Sequence, residues 1–244
     1  MTSLMLERPI DMGVTISAPD ASIEGDWSVP LHPKGAIVIA SATGNARLSR
    51  RSRETAQNIY DAGYATLLVD LLTLDEDHED ALTGALRLDI ELLTSRLIAA
   101  TKWIMESEFG DLPRAFLTSG HATAAAVVAA VREPALVDAI VSRGGRPDLA
   151  GIALHKLLTP TLLITGSVDA QIFELNRWAL RRILGEGKIA VIPGASQLFD
   201  EPGALEQMSR LAIRWFDSHL QQQSRSFSMS RLNFAWHKTH LTVS

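Results

Sequence analysis

The sequence predicts an α/β domain with a mainly parallel central sheet and helices on both faces. Three observations carry this reading. Short runs such as Ala36–Ala40 (AIVIA) and Ala65–Val69 (ATLLV) are apolar throughout, as strands covered on both faces are. Between such runs lie segments with apolar residues at helical spacing. Strand and helix then alternate along most of the chain, the order that winds a parallel sheet.

In chain order, Val14–Ile16 and Ile23–Val29 read as two short strands joined across Ala18-Pro19-Asp20. The second sets Ile23, Gly25, Trp27 and Val29 on one side, a half-buried pattern. Pro33-Lys34-Gly35 breaks the chain before the strand Ala36–Ala40. A polar loop, Ser41–Ser49, leads to a helix over Arg50–Ala62, which Gly63 stops. The strand Ala65–Val69 follows. The acidic run Asp75–Asp80 (DEDHED) reads as a solvated surface loop, with a divalent-cation site as its alternative. Leu86–Glu106 spaces its apolar residues as one long amphipathic helix. Ala115–Thr118 is a strand, and Ala122–Val131 a helix whose alanines let it lie close to a sheet. Ala139–Val141, Thr161–Thr165 and Ile189–Ile192 complete the strands. Phe173–Leu184 and Leu205–Leu220 complete the helices.

One domain is expected over residues 1–220. Residues 221–244 are polar and basic with interspersed Phe227, Phe234 and Trp236. They read as a frayed tail, or as a docking segment for a protein partner or second subunit. The 244 residues, 46% of them apolar, suffice for one core. The absence of cysteine excludes disulfides, thiolate zinc sites and a cysteine nucleophile. A net charge of −5 argues against a general nucleic-acid binder. No apolar run approaches the roughly 18 residues of a membrane span, and Met1–Met12 holds no apolar signal core. No membrane association and a cytoplasmic location are therefore expected. Neither a Walker A string nor a GxGxxG after a strand occurs, so no ATP, NAD or metal cofactor is expected.

Ligands of open parallel sheets sit at the carboxyl ends of the strands. The segments there are Ala65–Thr73 (ATLLVDLLT), Ser142–Gly151 (SRGGRPDLAG), Thr161–Asn176 (TLLITGSVDAQIFELN) and Ile192–Leu205 (IPGASQLFDEPGAL). By these strings the chain, over roughly Glu7–Leu220, resembles dienelactone-hydrolase-like α/β-hydrolases. The resemblance implies an α/β-hydrolase fold and a serine, histidine and carboxylate set. The serine sits on a sharp strand-to-helix turn with small neighbours. The histidine takes its proton, the carboxylate orients the histidine, and backbone N–H groups hold the oxyanion.

Asp169 falls at the acid's position. Gln197 stands at the histidine's position, in PGASQLFD where the family resembles PGATHLFEEPG. An amide cannot cycle a proton near neutral pH. The elbow, Thr118-Ser119-Gly120-His121-Ala122, admits three registers. Counting back from Ser142-Arg143-Gly144-Gly145 puts Gly120 at the serine position, with Thr118 and Ala122 flanking. A shift by one puts Ser119 there between Leu117 and His121, or His121 between Ser119 and Thr123. None rebuilds a Ser–His–Asp set. The oxyanion loop resembles HGSGSSR in the family and is Ser41-Ala42-Thr43-Gly44-Asn45-Ala46-Arg47 here, placing Ser41 and Thr43 at the pocket. Arg143 and Arg146 match family residues and read as loop ties, through carbonyls or Asp148, with substrate-anion binding as the alternative. His32, His78 and His155 read as surface residues.

Two functions follow as expectations. One is a hydrolase-fold protein without triad hydrolysis, whose pocket binds a small molecule or whose surface binds a partner. The other is an active ester or lactone hydrolase with a rebuilt site, in which Ser119 or water attacks, His121 is the base and Asp169 orients it.

Overall fold

The structure, a computed structural model, describes the backbone of residues 9–237 and the side chains of residues 9–220. Eight strands form one sheet: β1 (Ile10–Ser17), β2 (Ser22–Val29), β3 (Ala36–Ser41), β4 (Ala65–Asp70), β5 (Arg114–Ser119), β6 (Ala139–Arg143), β7 (Thr161–Gly166) and β8 (Gly187–Ile192). Their order is β1-β2-β4-β3-β5-β6-β7-β8. β1 and β2 form an antiparallel hairpin, and β2 meets β4 antiparallel; all other pairs are parallel. From β3 the chain passes to β4 on one side and returns to β5 on the other. A crevice therefore opens at the carboxyl ends of β3 and β5, where ligands of such sheets bind. Ser41 and Ser119 are register partners at that spot.

The helices are α1 (Arg50–Asp61), α2 (Leu74–Thr83), α3 (Ile90–Glu106), α4 (Ala122–Arg132), α5 (Ala170–Leu180) and α6 (Ala204–His237). Adjacent strand residues point to opposite faces. Val38, Phe116 and Ile140 join a core with Leu93, Leu97, Ala125 and Val127 of α3 and α4. Ile39, Leu117 and Val141 join a core with Ile59 of α1 and Met208 and Phe216 of α6. Both faces are thus apolar, which is why these strands carry no polar alternation.

Several expectations need correction. The acidic run is no loop: it forms most of α2. Thr73 Oγ1 accepts from the Glu76 N–H and the Glu76 carboxylate accepts from the Thr73 N–H, a reciprocal cap, and left-handed Gly84 ends the helix. The acidic side chains go to separate partners. Asp77 accepts from the Gly44 N–H and from Asn45, Asp80 takes Arg87, and Glu76 takes Arg96. Among the described residues no group of three or more His, Asp and Glu could hold a metal ion. Leu86–Glu106 is not one helix, because Asp89 Oδ1 accepts from the Leu92 N–H and starts α3 afresh after a 3-10 turn at Leu86–Leu88. α5 begins at Ala170, three residues before the expected start, and Pro147–Lys156 forms 3-10 turns that no periodicity announced. α6 continues through His237. The side chains of the expected docking segment lie outside the described residues, as do residues 1–8 and 238–244. No helix among the described residues is long and apolar enough to cross a membrane.

One buried cation ties these parts together. Arg96 on α3 is fully buried and donates to Leu71 O (2.8 Å), both oxygens of Glu76 (2.5 and 2.7 Å) and Asp20 (2.8 Å). It joins the β1–β2 turn, the end of β4 and α2. The Arg96 guanidinium holds the Glu76 carboxyl well below its usual range, at about 2. Removing one partner of a buried charge is costly, and with Asp20 still in place Glu76→Gln should lose about 2–3 kcal/mol in urea unfolding at pH 7. The Glu76 contribution is complete above about 4.5 and declines as pH falls toward about 2, so the gap between wild type and variant should close over that range.

Candidate active site

The chain turns from β5 into α4 within two residues. Gly120 makes the turn at φ +56°, in the left-handed region where an L side chain is strained. Ser119 still belongs to β5, and His121 has right-handed φ (−69°) before α4. Of the three registers, the apex of the elbow is therefore Gly120. A Cβ placed on it would meet nothing within 4 Å.

The elbow is fixed from below and from the side. Thr118 Oγ1 bonds Thr123 Oγ1 (3.1 Å), which bonds Ser142 Oγ (3.1 Å); all three hydroxyls belong to fully buried residues. Gly145 crosses directly over this chain, where a Cβ would come within 2.1 Å of Thr123 Oγ1. The Arg146 N–H donates to Gly120 O (2.9 Å), and buried Asn176 of α5 donates to Gly145 O (2.9 Å).

Above the elbow lies a cavity of about 740 Å³. Ser41, Thr43, Ser119, Gly120, His121, Asp169 and Gln197 all line it, so the fold brings together every residue selected from the sequence for this site. His32, His78 and His155 are exposed and line no part of it. A second groove of about 590 Å³, between the β1–β2 hairpin and α1, holds none of these residues.

Asp169 follows β7 and immediately precedes α5. Its carboxylate accepts from the main-chain N–H of Gln197, while the Gln197 side chain is exposed. Backbone packing seats this loop. A Cβ on Gly144 (φ +54°) would come within 2.4 Å of Gln197 O, and one on Gly166 within 2.0 Å of Ala195 O. No hydrogen bond joins His121 to Asp169 or to Ser119 among the described residues.

No protein-family model matches the chain. The crystal structure of dienelactone hydrolase from Anabaena variabilis superposes with a TM-score of 0.83 at 40% identity, covering 88% of this chain and 100% of that one. The chain belongs to the dienelactone-hydrolase-like family of α/β-hydrolases. Est1E from Butyrivibrio proteoclasticus, at 12% identity and TM-score 0.68 over 84% of this chain and 99% of its own, shares the fold. Two Mycobacterium tuberculosis proteins carrying the provisional name phosphoribosyl transferase are 43% identical over 211 residues, 86% of this chain. The chain spans about half (47%) of the length of those curated relatives.

Within this dienelactone-hydrolase-like site, sequence reading missed two cavity residues, Arg51 and Arg87. Arg51 lies in Arg50-Arg51-Ser52-Arg53, the first turn of α1, where the helix dipole disfavours cations. That local conflict was the available signal. Arg146 is a loop tie as expected, bonded twice to Asp148 (2.8 Å each). Arg143 has no such tie to a carboxylate. It is 7% exposed, donates to Thr55 Oγ1 (3.1 Å), and forms no ion pair among the described residues. Burial first, and the Arg51 charge second, push its guanidinium down to about 10, so it stays charged at neutral pH.

His121 is held below its ordinary value, first by burial and then by the charges of Arg146 and Arg87. Its imidazole is neutral at pH 7. The unfolded chain takes up this proton first as pH drops through about 6.5. Stability should therefore be complete above that value and fall below it. His121→Gln should flatten this part of the profile, measured as urea midpoints between pH 5 and 8; parallel profiles for both proteins would contradict the assignment.

Proposed function

We propose that this chain has given up triad hydrolysis and keeps its cavity to bind a small molecule. The observation that carries the reading is at Asp169. This residue holds the position the family gives to the acid, and its carboxylate receives a main-chain N–H from Gln197 in place of an imidazole. The acid's task is to orient a histidine, and residue 197 offers an amide that cannot relay a proton. The apex of the elbow, Gly120, carries no side chain to attack a carbonyl. Loss of the nucleophile or the base of such a unit alone costs about as much rate as loss of all its members.

The framework around the missing groups supports the same reading. The elbow retains its left-handed apex, and the direction in which a nucleophile would project is open. The transferase name belongs to the mycobacterial proteins, of whose length this chain spans about half, and the described residues have the α/β-hydrolase fold. A second reading, a rebuilt site of Ser119 or water with His121 and Asp169, draws on their shared cavity and on the neutral imidazole.

One set of assays separates the two. Wild type should hydrolyse p-nitrophenyl acetate and dihydrocoumarin no faster than buffer. Gly120→Ser combined with Gln197→His should gain turnover with a burst of acyl-enzyme, and adding Asp169→Asn should remove the gain. The serine's left-handed φ should cost about 1–2 kcal/mol of stability. Wild-type turnover that Asp169→Asn or His121→Ala abolishes would overturn the proposal and establish the rebuilt site.

A further inference from the structure

We infer that the cavity is a site for a small organic phosphate monoester, gripped at the carboxyl edge of the sheet by Arg143 and Arg51. The inference rests on the reading of the cavity as a binding site without turnover. Four arginines, Arg51, Arg87, Arg143 and Arg146, line this one space, and among the described residues Asp169 is the one acidic residue in its wall.

Three of the four are held by carboxylates. Arg51 bonds Asp200 (2.7 Å) and Leu198 O (3.3 Å), Arg87 bonds Asp80 (2.5 Å), and Arg146 bonds Asp148 (2.8 Å). Such anchoring sets the direction of each planar fork before a ligand arrives. Arg143 differs. It ends β6 in register with Ser119 and is 7% exposed, with one bond, to the neutral hydroxyl of Thr55. Its strongest charged neighbour is Arg51, of the same sign. A buried cation with no carboxylate bonded to it is costly; Asp200 offsets this charge only at longer range, and Arg143 is among the residues lining a cavity that an anion can enter. Gly120 and His121, which immediately precede the eleven-residue helix α4, line the same wall, so the positive end of that helix lies behind it.

The charge and shape favour phosphate over carboxylate. Two adjacent guanidinium groups are matched by a dianion with three acceptor oxygens; a carboxylate brings one charge and two oxygens. About 740 Å³ holds more than an inorganic ion. Ser41, Thr43, Gln171 and Gln197 supply hydrogen bonds for a polar organic group.

Isothermal titration calorimetry of the full chain with phenyl phosphate, inorganic phosphate and benzoate tests this. Phenyl phosphate should bind one-to-one, at least about tenfold tighter than benzoate, and Arg143→Gln and Arg51→Gln should each weaken it by about tenfold or more. Because Arg143 is buried, circular dichroism should check that its variant folds; Arg51, on the first turn of α1, provides an independent result. Absent binding to wild type, equal affinity for benzoate, or an Arg51→Gln protein with unchanged affinity would overturn the inference. Hydrolysis of p-nitrophenyl acetate by wild type with phenyl phosphate binding intact would instead sink the loss of catalysis and leave the anion site standing.

Discussion

A chain that leaves a buried strand and enters a helix within two residues must pass through a left-handed conformation, and the site is organised around that corner. Gly120 takes the conformation without a side-chain penalty. The hydroxyl chain of Thr118, Thr123 and Ser142 then satisfies the polar groups trapped beneath it, where apolar packing leaves no room for water. Gly145 and the Arg146 N–H press the next loop against the same point. The alanines of α4 let the helix settle onto the sheet directly after the turn. Ser41, Asp169 and the Gln197 loop converge on the corner because each follows a strand that ends at the same edge.

Much of this was legible in the sequence, for identifiable reasons. Strands covered on both faces are apolar at every position, so AIVIA and ATLLV announced themselves, and the alternation of Ile23, Gly25, Trp27 and Val29 is the observed buried side of β2. Gln197 was read directly because the string around it aligns without a gap, and Asp169 falls where its own string placed it. The elbow register was not fixed by side-chain size, since small neighbours flank more than one choice. Backbone conformation decides it, and glycine is the residue that tolerates the angle. The acidic run forms a helix despite its charge density because Thr73 and Glu76, three residues apart, cap its start. The partners Arg87 and Arg96 lie beyond local reach, as does the meeting of Arg51 and Arg87 at the cavity. Such convergences are products of the fold and leave little trace in any short window.

Chemistry and electrostatics have separated in this cleft. On the proposed reading, an amide and a glycine hydrogen stand where the base and nucleophile would be, while four arginines line the walls. Asp80, Asp148 and Asp200 each hold an arginine at the cavity, so the field inside is steep and does not extend far from the molecule. Arg143 has no carboxylate bonded to it, and Asp200 offsets its charge only at longer range. The same low dielectric that makes its isolation expensive makes any fitting counter-charge worth more there than at the surface.

The close approach of Gly144 to the carbonyl of residue 197 has a wider consequence. The loop is clamped through its main chain, and the side chain it displays is exposed at the cavity. Tool and holder are thus independent: evolution could swap one for another without passing through a misfolded ancestor. Descendants of a single architecture could in this way cross between turnover and mere recognition in either direction, by exchanging what the clamp presents.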